Sequence, residues 1–173
     1  MLDTLYTSFF RPTQVRAPLV SALIIASLVI LVMALNAAGA LSLGSGGVIL
    51  FAILFAIGGL LGWFWLSAAL HLVASVLGGH GSGAATLMAV ARSLWPLLLS
   101  GPAIAAAQWS ASLASLLSLA VTALTLVMLI LSLEQVHQFG RLKALLCLGV
   151  ALALSMYSLL GLILWPLMTL LGT

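Results

Sequence analysis

Charged residues are nearly absent from this sequence. Only 4% of its 173 residues are Asp, Glu, Lys or Arg, whereas soluble domains carry about 25%. A water-soluble fold with so few charges would expose a largely apolar surface and aggregate. Because 65% of the residues are hydrophobic, we expect the solvent of this protein to be lipid.

Cysteines, acids and basic clusters are also scarce, and each shortage excludes a class of function. The single cysteine, Cys147, excludes an intrachain disulfide. Five basic residues against two acidic ones form no basic stripe for binding phosphates, so we expect no nucleic-acid partner. The chain contains no G-x-S-x-G motif and no acid placed to orient a histidine, so the sequence does not predict an enzyme.

Long apolar runs are what the sequence does contain, and they define five candidate membrane spans. The runs lie at about residues 18–36, 47–76, 86–107, 111–133 and 145–171. About 20 apolar residues cross a bilayer as a helix. The pattern predicts an all-α, polytopic bundle of five transmembrane helices in a single domain, residues 18–173. Gly58 and Gly62 in the second run predict the close approach of another helix.

The first 17 residues precede these runs and allow two interpretations. Leu2, Leu5, Tyr6, Phe9 and Phe10 lie near helical spacing, which favours a short amphipathic helix on the bilayer surface. The alternative is a partly ordered apolar tail. In either case we expect residues 1–17 to form a cytoplasmic or interfacial segment.

The stretch from Leu77 to Pro96 is the most distinctive part of the chain. Its four glycines should end the second helix, because glycine resists helix and tolerates positive φ. Ser82 can then cap a short interfacial helix over 84–95. Pro96 lacks an N–H, so it should bend that helix near Arg92.

The third run is short after Pro96, so two topologies are open. It either crosses the membrane or forms a re-entrant hairpin, which would reverse everything downstream. With five crossings, all five basic residues fall on the side of the N-terminus: Arg11, Arg16, Arg92, Arg141 and Lys143. The positive-inside rule then places the N-terminus in the cytoplasm and the C-terminus outside, and this uniform charge distribution favours five crossings.

Four polar residues, His71, His80, Glu134 and His137, are expected near the cytoplasmic face. A helical Glu-x-x-His pair contributes to di-iron sites, but those sites need a second pair and further carboxylates. A transition-metal site formed by the histidines is the alternative, without a paired spacing to support it. We interpret these residues as interfacial caps and expect no metal and no cofactor. An acid near the bilayer needs a partner, so Glu134 should pair with Arg92 or Arg141.

Hydroxyl side chains line one face of the fourth run, at Ser115, Ser118, Thr122, Thr125 and Ser132. They predict hydrogen bonds that join helices or return to their own turn. A polar permeation path is the alternative. It is less favoured because no ionisable residue lies within that face.

The motifs of the two polar stretches, taken together, resemble the Yip family of Ypt/Rab-interacting membrane proteins. The family pattern is a leucine-rich helix ending in Gly-Gly-x-Gly-Ser, a proline about a dozen residues later, and a Glu-x-x-His segment before the last helix. The matching residues here are Gly78, Gly79, Gly81, Ser82, Pro96, Glu134 and His137. The segment FFRPTQV at 9–15 also resembles the family's approach to the first span.

This resemblance implies five membrane helices, a cytoplasmic N-terminus and self-association. In eukaryotes it implies roles in vesicle traffic and contacts with small GTPases. Eukaryotic members carry a long cytoplasmic segment before the first span, where this chain has about 17 residues. We therefore expect a prokaryotic-type member in the plasma or inner membrane, for which a small-GTPase partner is doubtful.

These observations lead to an expected function of the non-enzymatic class. We expect a membrane scaffold or adaptor that acts through its cytoplasmic-side loops, with the lipid bilayer, further copies of the chain or other membrane proteins as partners. The alternative is a small transporter or lipid-moving protein that uses the hydroxyl face. The surface expected to matter comprises Gly78, Gly79, Gly81, Ser82, Arg92, Pro96, Glu134 and His137.

Overall fold

A computed structural model describes residues 19–41 and 44–170, with side chains for all of these except 40, 159 and 162–170. No strand occurs among the described residues, and the expected all-α class is confirmed. Six α-helices follow in order: α1 Leu19–Ala40, α2 Ser45–Val76, α3 Gly83–Ser93, α4 Ser100–Ala105, α5 Ala111–His137 and α6 Arg141–Leu170. Two 3-10 segments, Trp95–Leu99 and Ala106–Gln108, flank α4.

Five stretches of the described chain are long and apolar enough to span a membrane, as predicted. They are Leu19–Gly39, Ser45–Val76, Gly83–Gln108, Ala111–His137 and Arg141–Ser158. The amphipathic segment expected over residues 1–17 lies outside the described residues.

The third span is the one that departs from a continuous helix. Pro96 has no N–H to donate, so the α-helix cannot continue through it without losing a hydrogen bond. Accordingly α3 ends at Ser93, the Leu94 N–H bonds to the Ala91 carbonyl three residues back, and Pro96 lies in the first turn of a 3-10 segment. The interruption expected from Pro96 is therefore present as a change of helix type after Ser93, and a bend near Arg92 stays a prediction. The separate surface position expected for the helix over 84–95 stays a prediction.

Small side chains on α1 allow the helices to pack closely. Ala22, Ala26, Val29, Ala34 and Ala38 are almost fully buried along one face of α1, which packs against α2 and α3. Short side chains let helix backbones approach in lipid, where van der Waals contact and hydrogen bonds drive association. This face brings the start of α1 close to the end of α2 and the beginning of α3.

The glycine packing in α2 differs from the prediction. A Cβ atom at Gly58 or Gly62 would meet nothing within 4 Å, so the expected pair approaches no described helix. Gly59 is the close contact, because a Cβ there would lie 2.7 Å from Cγ2 of Ile30 on α1. The prediction for Gly58 and Gly62 is therefore wrong, because α1 lies against the neighbouring face of α2, at Gly59.

Both connections between long helices at one end of the bundle are polar. The α2–α3 loop, residues 77–82, contacts the last residue of α5 through a hydrogen bond from the His80 N–H to the His137 carbonyl, 3.2 Å long. The α5–α6 loop, residues 138–140, follows directly. Glu134, Arg141 and Lys143 lie beside these loops. We call this end of the bundle, defined by the two loops and these three residues, the polar end.

Candidate functional site

The end of α2 is closed by a glycine turn. Gly78 has φ +83°, a left-handed conformation that glycine adopts without the steric cost of a Cβ. Its N–H bonds to the Ser75 carbonyl, and the Gly79 N–H bonds to the Ala74 carbonyl at 2.8 Å. These two bonds are the Schellman pattern, which satisfies carbonyls that the helix itself leaves free. The turn aims the chain across the end of the bundle toward α5.

Ser82 starts α3 as the sequence predicted. Its hydroxyl accepts a hydrogen bond from the Ala85 N–H at 3.2 Å, which is the arrangement of an N-cap. The hydroxyl of Thr86, one turn later, donates to the Ser82 carbonyl at 3.0 Å. Thr86 is fully buried, so its oxygen is presented to the interior of the polar end.

His137 is the buried group around which the two loops close. Its side chain has no exposed surface, and its Nε2 lies 2.9 Å from the Thr86 hydroxyl oxygen. Because the Thr86 proton is already donated to Ser82, we assign the imidazole proton to Nε2, which donates to Thr86. Nδ1 is then an acceptor, and it is buried with no hydrogen-bond partner among the described residues.

Gly79 and Gly81 must lack a side chain because they lie against the last turn of α5, not because of their backbone conformation. A Cβ at Gly79 would lie 2.7 Å from Nδ1 of His137 and 2.9 Å from the Ala74 carbonyl oxygen. A Cβ at Gly81 would lie 2.6 Å from Cγ1 of Val136 and 2.7 Å from its carbonyl oxygen. The loop backbone therefore lies directly on the last turn of α5, and any side chain at these two positions would lift it.

Aromatic rings complete the surroundings of His137. Phe139 stacks on the imidazole with ring centroids 5.5 Å apart and an interplanar angle of 12°. His71 of α2 lies on another side, with centroids 5.9 Å apart. Gln138 connects His137 to Phe139 with φ 54° and ψ 37°, so a non-glycine residue takes the left-handed conformation that ends α5.

The charged residues of the polar end pair as the sequence suggested. Glu134 forms an ion pair with Arg141, whose Nε lies 3.4 Å from the Glu134 Oε2, which confirms one of the two partners expected for this acid. Lys143 donates from Nζ to the Leu77 carbonyl at 3.2 Å, 66 residues away in the chain. Both contacts link α6 to its neighbours, and the Arg141 side chain keeps 79% of its surface exposed.

The predicted site residues therefore separate into two groups. Gly79, Gly81 and His137 are in mutual contact, Gly78 and Ser82 hold the ends of the same loop, and Glu134 lies one turn from His137. Arg92 and Pro96 lie farther along the third span: Arg92 is ten residues beyond Ser82, or about 15 Å at the rise of a helix. Thr86, Phe139 and His71 complete the cluster.

Sequence reasoning missed the roles of Thr86 and Phe139. Thr86 stands four residues after the predicted cap, which is the spacing at which a hydroxyl returns to the cap carbonyl. Phe139 follows the Glu-x-x-His pair by two residues. The Thr86 contact could not be read from its spacing, because it joins segments 51 residues apart. The Phe139 contact is local, but it depends on the left-handed turn at Gln138, which the sequence does not reveal.

The contacts of the polar end hold its own loops in place, and its described side chains do not form a metal centre. Among the residues that the structure describes, no group of three or more His, Cys, Asp or Glu side chains stands close enough to hold a metal ion. Hydrogen bonds join the α2–α3 loop and the start of α3 to α5 and α6, through His80, Thr86 and Lys143. The α2–α3 loop is thereby held as one defined surface.

The hydroxyl face of α5 is used within the protein. Ser115, Thr122 and Thr125 donate to carbonyls four residues back on their own helix, at distances of 2.8–3.0 Å. Ser132 and Ser93 are both buried, with their hydroxyl oxygens 3.0 Å apart between α5 and α3. A cavity of about 250 Å³ between α4 and α5 is lined by apolar residues, among them Leu117, Val121 and Leu124.

Five apolar spans, with a loop at one end that is hydrogen-bonded to the two following long helices, define a multi-pass α-helical membrane protein. The family model described as the Yip1 domain matches residues 6–163, which is nearly the whole chain. The chain belongs to the Yip family, and the resemblance seen in its glycine and Glu-x-x-His motifs is confirmed. Among curated proteins and among solved structures, none matches it.

Proposed function

We propose that this protein is a non-enzymatic membrane scaffold that organises partner membrane proteins through its polar end. The observation that carries the proposal is the closure of the α2–α3 loop onto His137. A loop fixed by Thr86, His137 and two glycine contacts presents its outward residues in one arrangement. Binding to such a surface loses less conformational entropy than binding to a flexible loop.

The outward residues of the polar end provide the chemistry for recognition. Six of them are exposed and form what we call the polar-end surface: Gly78, His80, Ser82, Gln138, Arg141 and Lys143. Two are cationic, so the surface suits a partner segment that is acidic or rich in hydrogen-bond acceptors. We infer that the partner is another integral membrane protein or a second copy of this chain. Proteins embedded in the same bilayer present their own loops at the depth of the polar end.

The orientation belongs to the same proposal. The described cations, Arg92, Arg141 and Lys143, all lie in the half of the bundle that contains the polar end, and the positive-inside rule assigns that half to the cytoplasm. The N-terminus would then be cytoplasmic and the C-terminus external, in a prokaryotic plasma or inner membrane. We do not assign a small GTPase as partner.

Site-specific cross-linking in intact cells tests the proposal. A photoreactive amino acid at His80 or Gln138 should give discrete adducts with membrane proteins, while the same group at Ser110, in the connection at the opposite end, should give lipid adducts only. The adducts should weaken when Glu134→Lys alters the charge beside the surface of a folded protein. Equal adducts from all three positions, insensitive to Glu134→Lys, would contradict a scaffold that acts through the polar end.

Cysteine labelling tests the orientation separately. With Cys147→Ala as background, single cysteines at Ser82 and Gln138 should react only from the cytoplasm, and one at Ser110 only from outside. Labelling of Ser82 and Gln138 from opposite sides would contradict the shared surface, because the third span would then not cross. The transporter alternative has no specific support in the described part of the chain, since the hydroxyl face bonds within the protein and its adjacent cavity is apolar.

A further inference from the structure

A second cavity lies away from the polar-end surface, on the side of the bundle that faces lipid. It has a volume of about 330 Å³ and is formed where α1 begins, α2 nears its end and α3 begins. That volume is within the range of small-molecule sites, about 300–1,000 Å³. Leu19, Phe64 and Leu87 provide apolar walls, and Phe64 is 63% exposed on the outer surface of α2. The cavity thus opens toward the bilayer.

Two polar residues, Ser67 and His71, line this otherwise apolar cavity. The Ser67 hydroxyl donates to the Trp63 carbonyl on its own helix at 2.7 Å, so His71 is the residue considered for contact with a ligand. Its Nδ1 is buried and has no hydrogen-bond partner among the described residues. On the other edge of the ring, Cδ2 and Nε2 lie 3.4 and 3.7 Å from the point where a Cβ on Gly83 would stand. Because Gly83 has no side chain, this edge of the imidazole faces open space in the cavity.

The cavity reaches the level of the lipid headgroups at its His71 end. His71 is five residues from the end of α2, and Leu19 and Gly83 begin their spans, so all three mark the same end of the bundle. In the first turn of α3 the Ala85 and Thr86 N–H groups bond to Ser82, which leaves Gly83 and Ala84 as the N–H groups that can meet a ligand. The partial positive charge at this helix end favours an anionic group. The described cations Arg92, Arg141 and Lys143 are also in this half of the molecule.

From this arrangement we propose a glycerophospholipid site, in which one acyl chain fills the groove between α1, α2 and α3 and the phosphodiester group accepts hydrogen bonds from His71 and the start of α3. An apolar groove open to the bilayer cannot stay empty without losing dispersion contacts with its lining. The Nε2 edge of the imidazole lies beside Gly83 in the cavity lining, so a donor at Nε2 favours a lipid whose headgroup accepts hydrogen bonds. This site does not depend on the scaffold proposal, because its acyl-chain groove lies between α1, α2 and α3 and only its headgroup end adjoins Ser82 of the polar-end surface.

Native mass spectrometry of the full-length protein, delipidated and then given stoichiometric lipid, tests the site. Wild type should retain one equivalent of phosphatidylglycerol and release dioleoylglycerol, which has the same acyl chains but lacks the phosphodiester. Ala84→Leu and Ala68→Leu narrow the cavity and should abolish retention. Ala123→Leu, the same change on an exposed part of α5 outside the cavity, should leave retention unchanged.

His71 variants test the headgroup contact. His71→Phe keeps a planar ring but removes both nitrogens, so retention should fall at least about tenfold, the effect of one lost hydrogen bond to a charged group. His71→Gln keeps a donor and should retain an intermediate amount. If His71→Phe fails to fold, the alanine-to-leucine variants decide the question alone.

Three results would overturn the proposal. Equal retention of phosphatidylglycerol and dioleoylglycerol would show that the phosphodiester group makes no contact with the site. Retention in the two cavity variants equal to that of Ala123→Leu would place the bound lipid elsewhere. A disulfide between Ala84→Cys and Phe9→Cys, formed in the Cys147→Ala background whether or not phospholipid is present, would show that the N-terminal segment is the occupant.

Discussion

The hydroxyl oxygen of Thr86 lies 2.9 Å from Nε2 of His137, and both side chains are completely buried although 51 residues separate them in the chain. This contact joins the first turn of α3 to the last turn of α5. Since Thr86 also bonds back to the carbonyl of Ser82, one hydroxyl connects a helix cap to the histidine that closes the loop. The following predictions concern this connection and its surroundings.

Replacement of Thr86 by Val should destabilise the protein although the shape is retained. The Nε2–H of His137 would be left buried without an acceptor, which costs about 1–3 kcal/mol. We expect this loss in the free energy of unfolding measured by denaturant titration in detergent micelles. Thr86→Ser should recover most of it, and the matched control Thr122→Val, at an exposed hydroxyl bonded within α5, should change little. Equal stability of Thr86→Val and wild type would contradict the assigned hydrogen bond.

Gly81→Ala should displace the α2–α3 loop from α5. The new methyl group would meet both Cγ1 and the carbonyl oxygen of Val136 at less than 3 Å, and the carbonyl cannot rotate away. Overpacking of this kind costs about 1–3 kcal/mol, and we expect increased proteolysis within 77–82. Gly140→Ala is the control, because a Cβ there meets nothing within 4 Å. If both variants resist proteolysis like wild type, the close approach is wrong.

Gln138→Gly should stabilise the protein. Gln138 holds the left-handed conformation at the end of α5, where a side chain costs about 1–2 kcal/mol and glycine is the usual residue. A higher thermal unfolding midpoint in detergent is the expected result. Gln135→Gly, in the helical last turns of the same helix, should lower the midpoint instead because glycine weakens a helix interior. A lower midpoint for Gln138→Gly would show that its side chain makes a contact worth more than the strain.

The ion pair between Glu134 and Arg141 should be a minor contributor to stability. Arg141 is largely solvated, and exposed pairs contribute about 0–1 kcal/mol. We expect Glu134→Lys to lower the free energy of unfolding by roughly that amount, less so at high salt, and the double variant Glu134→Lys/Arg141→Glu to restore it. A double variant that is no more stable than Glu134→Lys alone would count against this pairing.

The helices and their ends were largely predictable, because each rests on local chemistry. Long apolar runs give spans whatever their neighbours are, Ser82 caps a helix through its own hydroxyl, and Pro96 interrupts one through its missing N–H. The pairing of Glu134 was predictable to one of two arginines, because an acid near lipid needs a cation. Arg141 is the partner found, and it lies across a short loop on the next helix.

The assembly of the polar end was less predictable, because its contacts are not local. From the sequence, Gly79 and Gly81 were predicted only to end a helix. In the structure they must be glycine because a Cβ atom at either position would collide with His137 or Val136. His137 read as an interfacial cap, yet it is fully buried and hydrogen-bonded to Thr86. The face of α2 that meets α1 was also missed, since Gly58, Gly59 and Gly62 are indistinguishable until the position of Ile30 is known.

The interrupted third span affects how the chain must enter the membrane during synthesis. A continuous helix satisfies its own backbone hydrogen bonds and can partition into lipid alone. The segment Gly83–Gln108 instead changes helix type three times. Backbone N–H and C=O groups left without partners in hydrocarbon are costly. Its pieces pack against α1 and α5, and α5 is made later. We therefore expect the ribosome to deliver this segment and α5 to the bilayer as one hairpin, with the segment held at the translocation channel until α5 emerges.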